Sequence, residues 1–152
     1  MALLDVNALV ALAWDAHVHH ESVSAWFDAR TGPWATCPVS EAGFIRASSN
    51  PKVITGALSV SEVRDVLRDL RAVGQHRFLA NDVSLTDADV PPIVGHRQVT
   101  DALLLTVARR AGVSLVTFDA AIATLAGCDG VEVLRRAPTV GFPPIRGRNP
   151  GM

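Results

Sequence analysis

Residues 99–119 read VTDALLLTVARRAGVSLVTFD. Leu103, Leu104, Val107 and Ala108 recur at helical spacing, so the first half predicts a helix over 99–111. Gly112 then stands where a helix commonly ends in a left-handed residue. The run 113–118 that follows is apolar and β-branched, the clearest strand signal in the chain, and it stops at Asp119. A helix feeding straight into a buried strand is half of a βαβ unit, and the rest of the chain repeats that alternation.

Toward the N-terminus, residues 2–4 read as a short buried strand ending near Asp5. Asn7 suits the cap of a helix over 8–14. Residues 17–30 read as a second helix, with Val18, Val23, Trp26 and Phe27 on one side. Residues 34–37 form a second strand, and a helix carrying Val39, Glu41, Phe44 and Ile45 follows. Ser59 with Glu62 is a capping-box signature, and it opens a helix striped with Val63, Val66, Leu67 and Leu70 that Gly74 ends. Strands are expected at 76–80 and 131–134, with a short helix at 120–125 between them and the strand at 113–118. The fold class is therefore α/β, a parallel sheet covered on both faces in a three-layer α/β/α sandwich. One domain is expected over 1–137, with an irregular tail at 138–152 punctuated by Pro143, Pro144, Gly147 and Pro150.

The 152 residues suffice for one core, and 49% hydrophobic against 19% charged residues is a globular balance. No apolar run is long enough to suggest a membrane helix, and no secretory leader is expected. Cys37 and Cys128 do not make a close metal-binding or redox pair and are expected as reduced thiols of a cytoplasmic protein. The net charge of −1 argues against nucleic-acid binding by total charge. Any RNA contact needs cations gathered locally, or supplied by a second subunit or a metal. Lys52 is the only lysine among 14 cationic residues, so the rest are arginines. Neither G-x-G-x-x-G nor a P-loop is present, so no nucleotide cofactor is expected.

Four acids share one place in this scheme. Asp5 and Asp119 end strands, while Glu41 and Asp101 lie in the first turns of helices that follow. All four fall at the carboxyl edge of one parallel sheet, where ligands bind near a switch in strand order. Two carboxylates 4 Å apart repel by about 1 kcal/mol in water and about 4 kcal/mol at an effective dielectric of 20. A hard divalent cation relieves this; magnesium, or manganese with similar ligands, takes such oxygen donors. Each acid alone has a plainer reading, Asp5 and Asp119 as helix caps, Glu41 and Asp101 as partners of the helix dipole. Their shared register favours a metal site.

Further candidates surround them. Asn7 and Thr117 can orient a carboxylate or metal-bound water, and Thr100 can cap the helix that carries Asp101. Arg46 can either pair with an acid or receive phosphate, and His96 and Arg97 are candidate phosphate contacts beside a plainer reading as surface positions. His17, His19 and His20 cluster, with a solvated helix start the plainer reading. Arg64, Arg68 and Arg71, interleaved with Glu62, Asp65 and Asp69, read as a solvated face. Trp14, Trp26 and Trp34 read as core or interface.

The segments LLDVNALVAL, PVSEAGFIR and GHRQVTDALLLTVARRAGVSLVTFD make the chain similar to the PIN-domain nucleases, and within them to the VapC toxins of bacterial toxin–antitoxin pairs. The resemblance runs from the N-terminus to about Asp119. It implies a magnesium-binding nuclease site formed by Asp5, Glu41, Asp101 and Asp119. It also implies cleavage of RNA, commonly transfer or ribosomal RNA, with inhibition of translation and growth, a cognate VapB-type antitoxin, and a homodimer. Many relatives carry Ser or Thr where this chain has Asn7, so no hydroxyl role transfers there. Two other readings stand beside it. A non-catalytic RNA-binding module could keep the same fold. A phosphoryl-transfer protein could use Asp5 as nucleophile. A haloacid-dehalogenase-type site wants a second Asp where Asn7 stands, and a receiver domain wants a later lysine better placed than Lys52.

Overall fold

The structure is a computed structural model that describes residues 1–127 and 129–136. Five strands, β1 (Ala2–Leu4), β2 (Trp34–Thr36), β3 (His76–Phe78), β4 (Ser114–Thr117) and β5 (Val131–Val133), form one sheet in the order β3-β2-β1-β4-β5. Every pairing is parallel, with Leu3 opposite both Ala35 and Leu115. The helices are α1 (Val6–Ala13), α2 (His20–Asp28), α3 (Pro38–Ser48), α4 (Val60–Arg71), α5 (Val99–Arg110) and α6 (Ala120–Ala126). The expected three-layer α/β/α arrangement is the one found.

Strand alternation divides the core in two. Leu3, Ala35 and Leu115 face Leu104, Leu105, Val107 and Ala108 of α5 and Ile122 of α6. Leu4, Trp34 and Val116 face Ala8 and Leu9 of α1, Phe44 of α3, and Val63 and Leu67 of α4. Helix α3 lies against α1 at Gly43, where a Cβ atom would come within 2.3 Å of a Val6 methyl. The close approach of these two helices therefore requires a residue without a side chain. The predicted capping box forms, with Ser59 Oγ accepting the Glu62 N–H at 3.3 Å and Glu62 accepting the Ser59 N–H at 2.8 Å. Helix α5 ends as read, at Gly112 with φ of 64°.

Some local expectations are corrected. Asp5, not Asn7, caps α1: its Oδ1 accepts the Ala8 N–H at 2.8 Å, while Asn7 is exposed in the first turn. Thr100 does not cap α5, because a short 3-10 turn at His96–Gln98 runs directly into the helix and puts Gln98 at the cap position. Helix α2 starts at His20 rather than residue 17, since His17 to His19 are spent in turns. Trp34 is buried in the core, and its indole N–H donates to the Val73 carbonyl at 2.9 Å. The exposed segment after β3 is tied to α5 by Arg110, which reaches Asp87 and Asp89 at 2.8 and 2.7 Å and Asp82 at 3.7 Å. Cys37 is a buried free thiol. Cys128 and the expected tail at 138–152 lie outside the described residues. Among the described residues, no helix is long and apolar enough to cross a membrane.

Candidate active site

The chain leaves β1 for β2 and β3 on one side and returns for β4 and β5 on the other. The carboxyl ends of β1 and β4 therefore flank the point where strand order reverses, the usual ligand crevice of a doubly wound sheet. Asp5 stands there. Its N–H still donates to the Val116 carbonyl at 3.0 Å, so it belongs to the sheet ladder, yet its side chain already caps α1. Asp5 as a whole is only 4% exposed. Its Oδ2 accepts the hydroxyl of Thr117, the last residue of β4, and that same hydroxyl accepts the Asp119 N–H at 2.9 Å. Thr117 thus fixes both the Asp5 carboxylate and the turn that presents Asp119. This realises the carboxylate-orienting role open to Thr117 from its position.

Burial pushes the Asp5 carboxyl up to about 6, offset in part by the Thr117 and Ala8 hydrogen bonds, and the negative charge of Asp101 raises it further. Asp101, half-buried in the first turn of α5, is also raised, by burial and then by the charge of Asp119. The three aspartates therefore interact in sequence, Asp119 with Asp101 and Asp101 with Asp5. Asp119 is exposed and caps α6, its Oδ1 accepting the Ala121 N–H at 2.8 Å. The capping roles open to Asp5 and Asp119 are thus real. They do not use up these groups, since each carboxylate oxygen has a second lone-pair site.

Glu41 is held differently. Its Oε1 accepts the Thr36 hydroxyl at 2.6 Å and pairs with Arg71 at 3.3 Å. Thr36 ends β2 as Thr117 ends β4, and its oxygen lies 2.8 Å from His76 Nε2. Burial, then the Arg71 charge, lowers the His76 imidazole to about 4, so the neutral ring supports this cluster at neutral pH. In this arrangement Glu41 is engaged by a cation and a hydroxyl.

Of the candidate phosphate contacts, Arg46 lines a cavity of about 400 Å³ with Val6, Pro38, Val39, Ala42, Gly43 and Thr100. Val6 adjoins Asp5 and Thr100 adjoins Asp101, so this cavity opens beside the aspartates. His96 and Arg97 are exposed on the 3-10 turn that leads into α5. The histidine cluster is structural in its contacts. His20 Nδ1 lies 2.9 Å from the Ala11 carbonyl, and His19 stacks on Phe118 with centroids 4.2 Å apart.

Among the described residues, no three His, Cys, Asp or Glu side chains stand close enough to enclose a metal ion directly. The donor chemistry nevertheless fits a hard divalent cation. The donors are all carboxylate oxygens, the charge of Asp101 raises the proton affinity of Asp5 and that of Asp119 raises Asp101, and magnesium is usually held by one or two direct carboxylates while keeping several waters.

The family described as "PIN domain" matches residues 2–127. The chain belongs to the PIN-domain family. Within it, the chain is 67% identical over 127 residues to Ribonuclease VapC38 of Mycobacterium tuberculosis, covering 83% of this chain and 90% of that protein. It is 42% identical over 141 residues to Ribonuclease VapC39 of the same species, covering 88% of this chain and 99% of the relative. The crystal structure of M. tuberculosis VapC20, described as a sarcin-ricin loop cleaving toxin, superposes with a TM-score of 0.60 over 89% of this chain and all of that one. At 12% identity that likeness speaks to the fold.

One polar partner of Glu41 in this PIN domain, Thr36, escaped the sequence reading, and the other, Arg71, was read only as part of a solvated face. A threonine closing a strand at the sheet edge that carries the acids was the available signal for Thr36. Arg71 had none, because its pairing depends on α4 packing beside α3.

Proposed function

We propose that the chain is a magnesium-dependent endoribonuclease, the toxin of a VapBC-type pair, that cleaves transfer or ribosomal RNA and so inhibits translation and growth. The observation that carries this reading is the interaction of Asp5, Asp101 and Asp119 at the reversal of strand order. The kinship with proteins named Ribonuclease VapC supports it. In this reading Asp5, Asp101 and Asp119 hold the cation, directly or through water, and Glu41 binds it or orients the attacking water. A bound magnesium or manganese ion stabilises negative charge on the scissile phosphate and makes water a better nucleophile.

The chain's own residues have defined parts. Thr117 and the Ala8 N–H hold Asp5 in one orientation, so it need not reorganise as charge develops. Arg46, at the cavity beside the aspartates, receives a phosphate oxygen, and His96 and Arg97 contact the flanking backbone. A VapB-type antitoxin is the expected inhibitor, and a homodimer the expected assembly.

The test is incubation of purified chain with total RNA, with magnesium or with chelator, followed by mapping of the new ends. Discrete ends are expected with magnesium and none with chelator. Asp5→Asn keeps an acceptor for the Ala8 N–H and so keeps the cap. It should fold normally yet lose at least about 100-fold in rate, since even residues that merely support metal ligands are worth 10–100-fold. Full magnesium-dependent cleavage by a folded Asp5→Asn chain overturns the reading.

A further inference from the structure

The arginines of α4 were read from sequence as a solvated face, and their setting is different. Arg64, Arg68 and Arg71 line a cleft of about 610 Å³ between α3 and α4, together with Glu41, Ile45, Leu67, Ala72 and His76. Their spacing of four and then three residues puts them in one row along the helix. At about 1.5 Å rise per residue the row is about 10 Å long.

The lining is strongly unbalanced in charge, with three guanidinium groups against the single carboxylate of Glu41. Arg71 is the one that pairs with Glu41. Arg68 meets Asp65 on the exposed surface, a contact that water and salt weaken. Arg64 carries no ion pair among the described residues. Ile45, Leu67 and the exposed Ala72 add apolar surface to the lining. Guanidinium forks match phosphate oxygens two at a time, and apolar surface suits a base or sugar face. Glu41 joins this cleft to the first turn of α3.

We propose that the α3–α4 cleft is a second RNA-binding subsite, in which Arg64 and Arg68 bind backbone phosphates of a single strand. This rests on the ribonuclease reading, since the strand bound here is the substrate of that reaction. It also answers how a chain of net charge −1 holds a polyanion: the cations are gathered in one row.

The experiment measures binding of a fluorescent 12-nucleotide single-stranded RNA to the Asp5→Asn chain in chelator, by anisotropy, over a range of salt. Arg64→Gln with Arg68→Gln should weaken binding about tenfold or more at low salt. Together they should flatten the dependence of log affinity on log salt by about 1.4, at about 0.7 per phosphate contact of a single strand. Arg135→Gln, which follows β5 at the opposite edge of the sheet, should change neither. Unchanged affinity and slope in the folded double variant overturn the subsite, and so does an equal loss from Arg135→Gln. If the double variant keeps RNA but loses an acidic peptide that the parent chain binds, the cleft is a protein site and the proposal is overturned. Absence of any RNA binding by the parent chain, in magnesium as well as in chelator, brings down the ribonuclease reading itself, a different result from parent binding with an unaltered slope.

Discussion

Asp5 does three things at once: it continues the sheet ladder, caps α1 and carries charge into a buried place. The last of these has a measurable consequence. Its carboxyl stands at about 6 when folded, against 3.8 in a model peptide, chiefly through burial. A folded value above the unfolded one means that the folded chain binds the proton more tightly. The resulting stabilisation is complete below about pH 4 and is lost as pH rises through about 6. The difference amounts to about 3 kcal/mol at 1.36 kcal/mol per pH unit. In chelator, the melting temperature of the wild-type chain should therefore fall between pH 5 and pH 8 relative to that of Asp5→Asn, and the variant should be the more stable at pH 8. Parallel curves for the two proteins would show that the Asp5 carboxylate bears no cost in the fold. At this scale the sequence was partly legible. A carboxylate between Leu4 and Val6 announced an unusual site, but the cap was left open between Asp5 and Asn7. Asp and Asn are both good caps, and only the Asp5 N–H bond to Val116 shows that the strand ends there.

Between elements, the closest tolerance is that of α1 with α3. Gly43 faces Val6, and the side chain of Val6 also borders the cavity beside Asp5 and Asp101. Gly43→Ala gains helix propensity of about 1 kcal/mol but sets a methyl group 2.3 Å from a Val6 methyl. Overpacking costs about 1–3 kcal/mol, and here the obstacle is a short branched side chain in a helix, which has little freedom to turn away. The variant should be less stable by about 1–2 kcal/mol in urea titration. Gly43→Ala with Val6→Ala should recover most of that loss, and no recovery would place the strain elsewhere. Helices with explicit punctuation were well read from sequence. Ser59 and Glu62 announce α4, and Gly112 closes α5. What could not be read was the face α4 turns toward α3. Interleaved arginines and acids look alike whether they meet water or line a cleft, and the distinction is made by the burial of Val63 and Leu67, which fixes the roll of the helix.

For the molecule as a whole, the strand order β3-β2-β1-β4-β5 converts positions more than a hundred residues apart into neighbours. Asp5 and Thr117 share a hydrogen bond across 112 residues of chain because β1 pairs with β4. The alternation of helices and strands announced a parallel sheet, and parallel crossovers place every strand end of one kind on the same edge. That is why the acids could be assigned to one edge of the sheet from the sequence alone. Glu41 was grouped with them by the same rule, and the rule is blind to its local partners Thr36 and Arg71. The convergence has an energetic signature distinct from activity. A cation that binds the folded chain and not the unfolded one stabilises by about 2.7 kcal/mol at a hundred times its dissociation constant. For a domain of this size, 1 kcal/mol is worth about 2–4 °C, so saturating magnesium or manganese should raise the melting temperature by about 5–10 °C at pH 8. The shift should shrink sharply in Asp101→Asn, which removes the charge that links Asp119 to Asp5. It should also shrink near pH 5 in the wild-type chain, where protons compete with the metal for Asp5. A wild-type melting temperature indifferent to saturating metal would mean that the three aspartates do not act as one site.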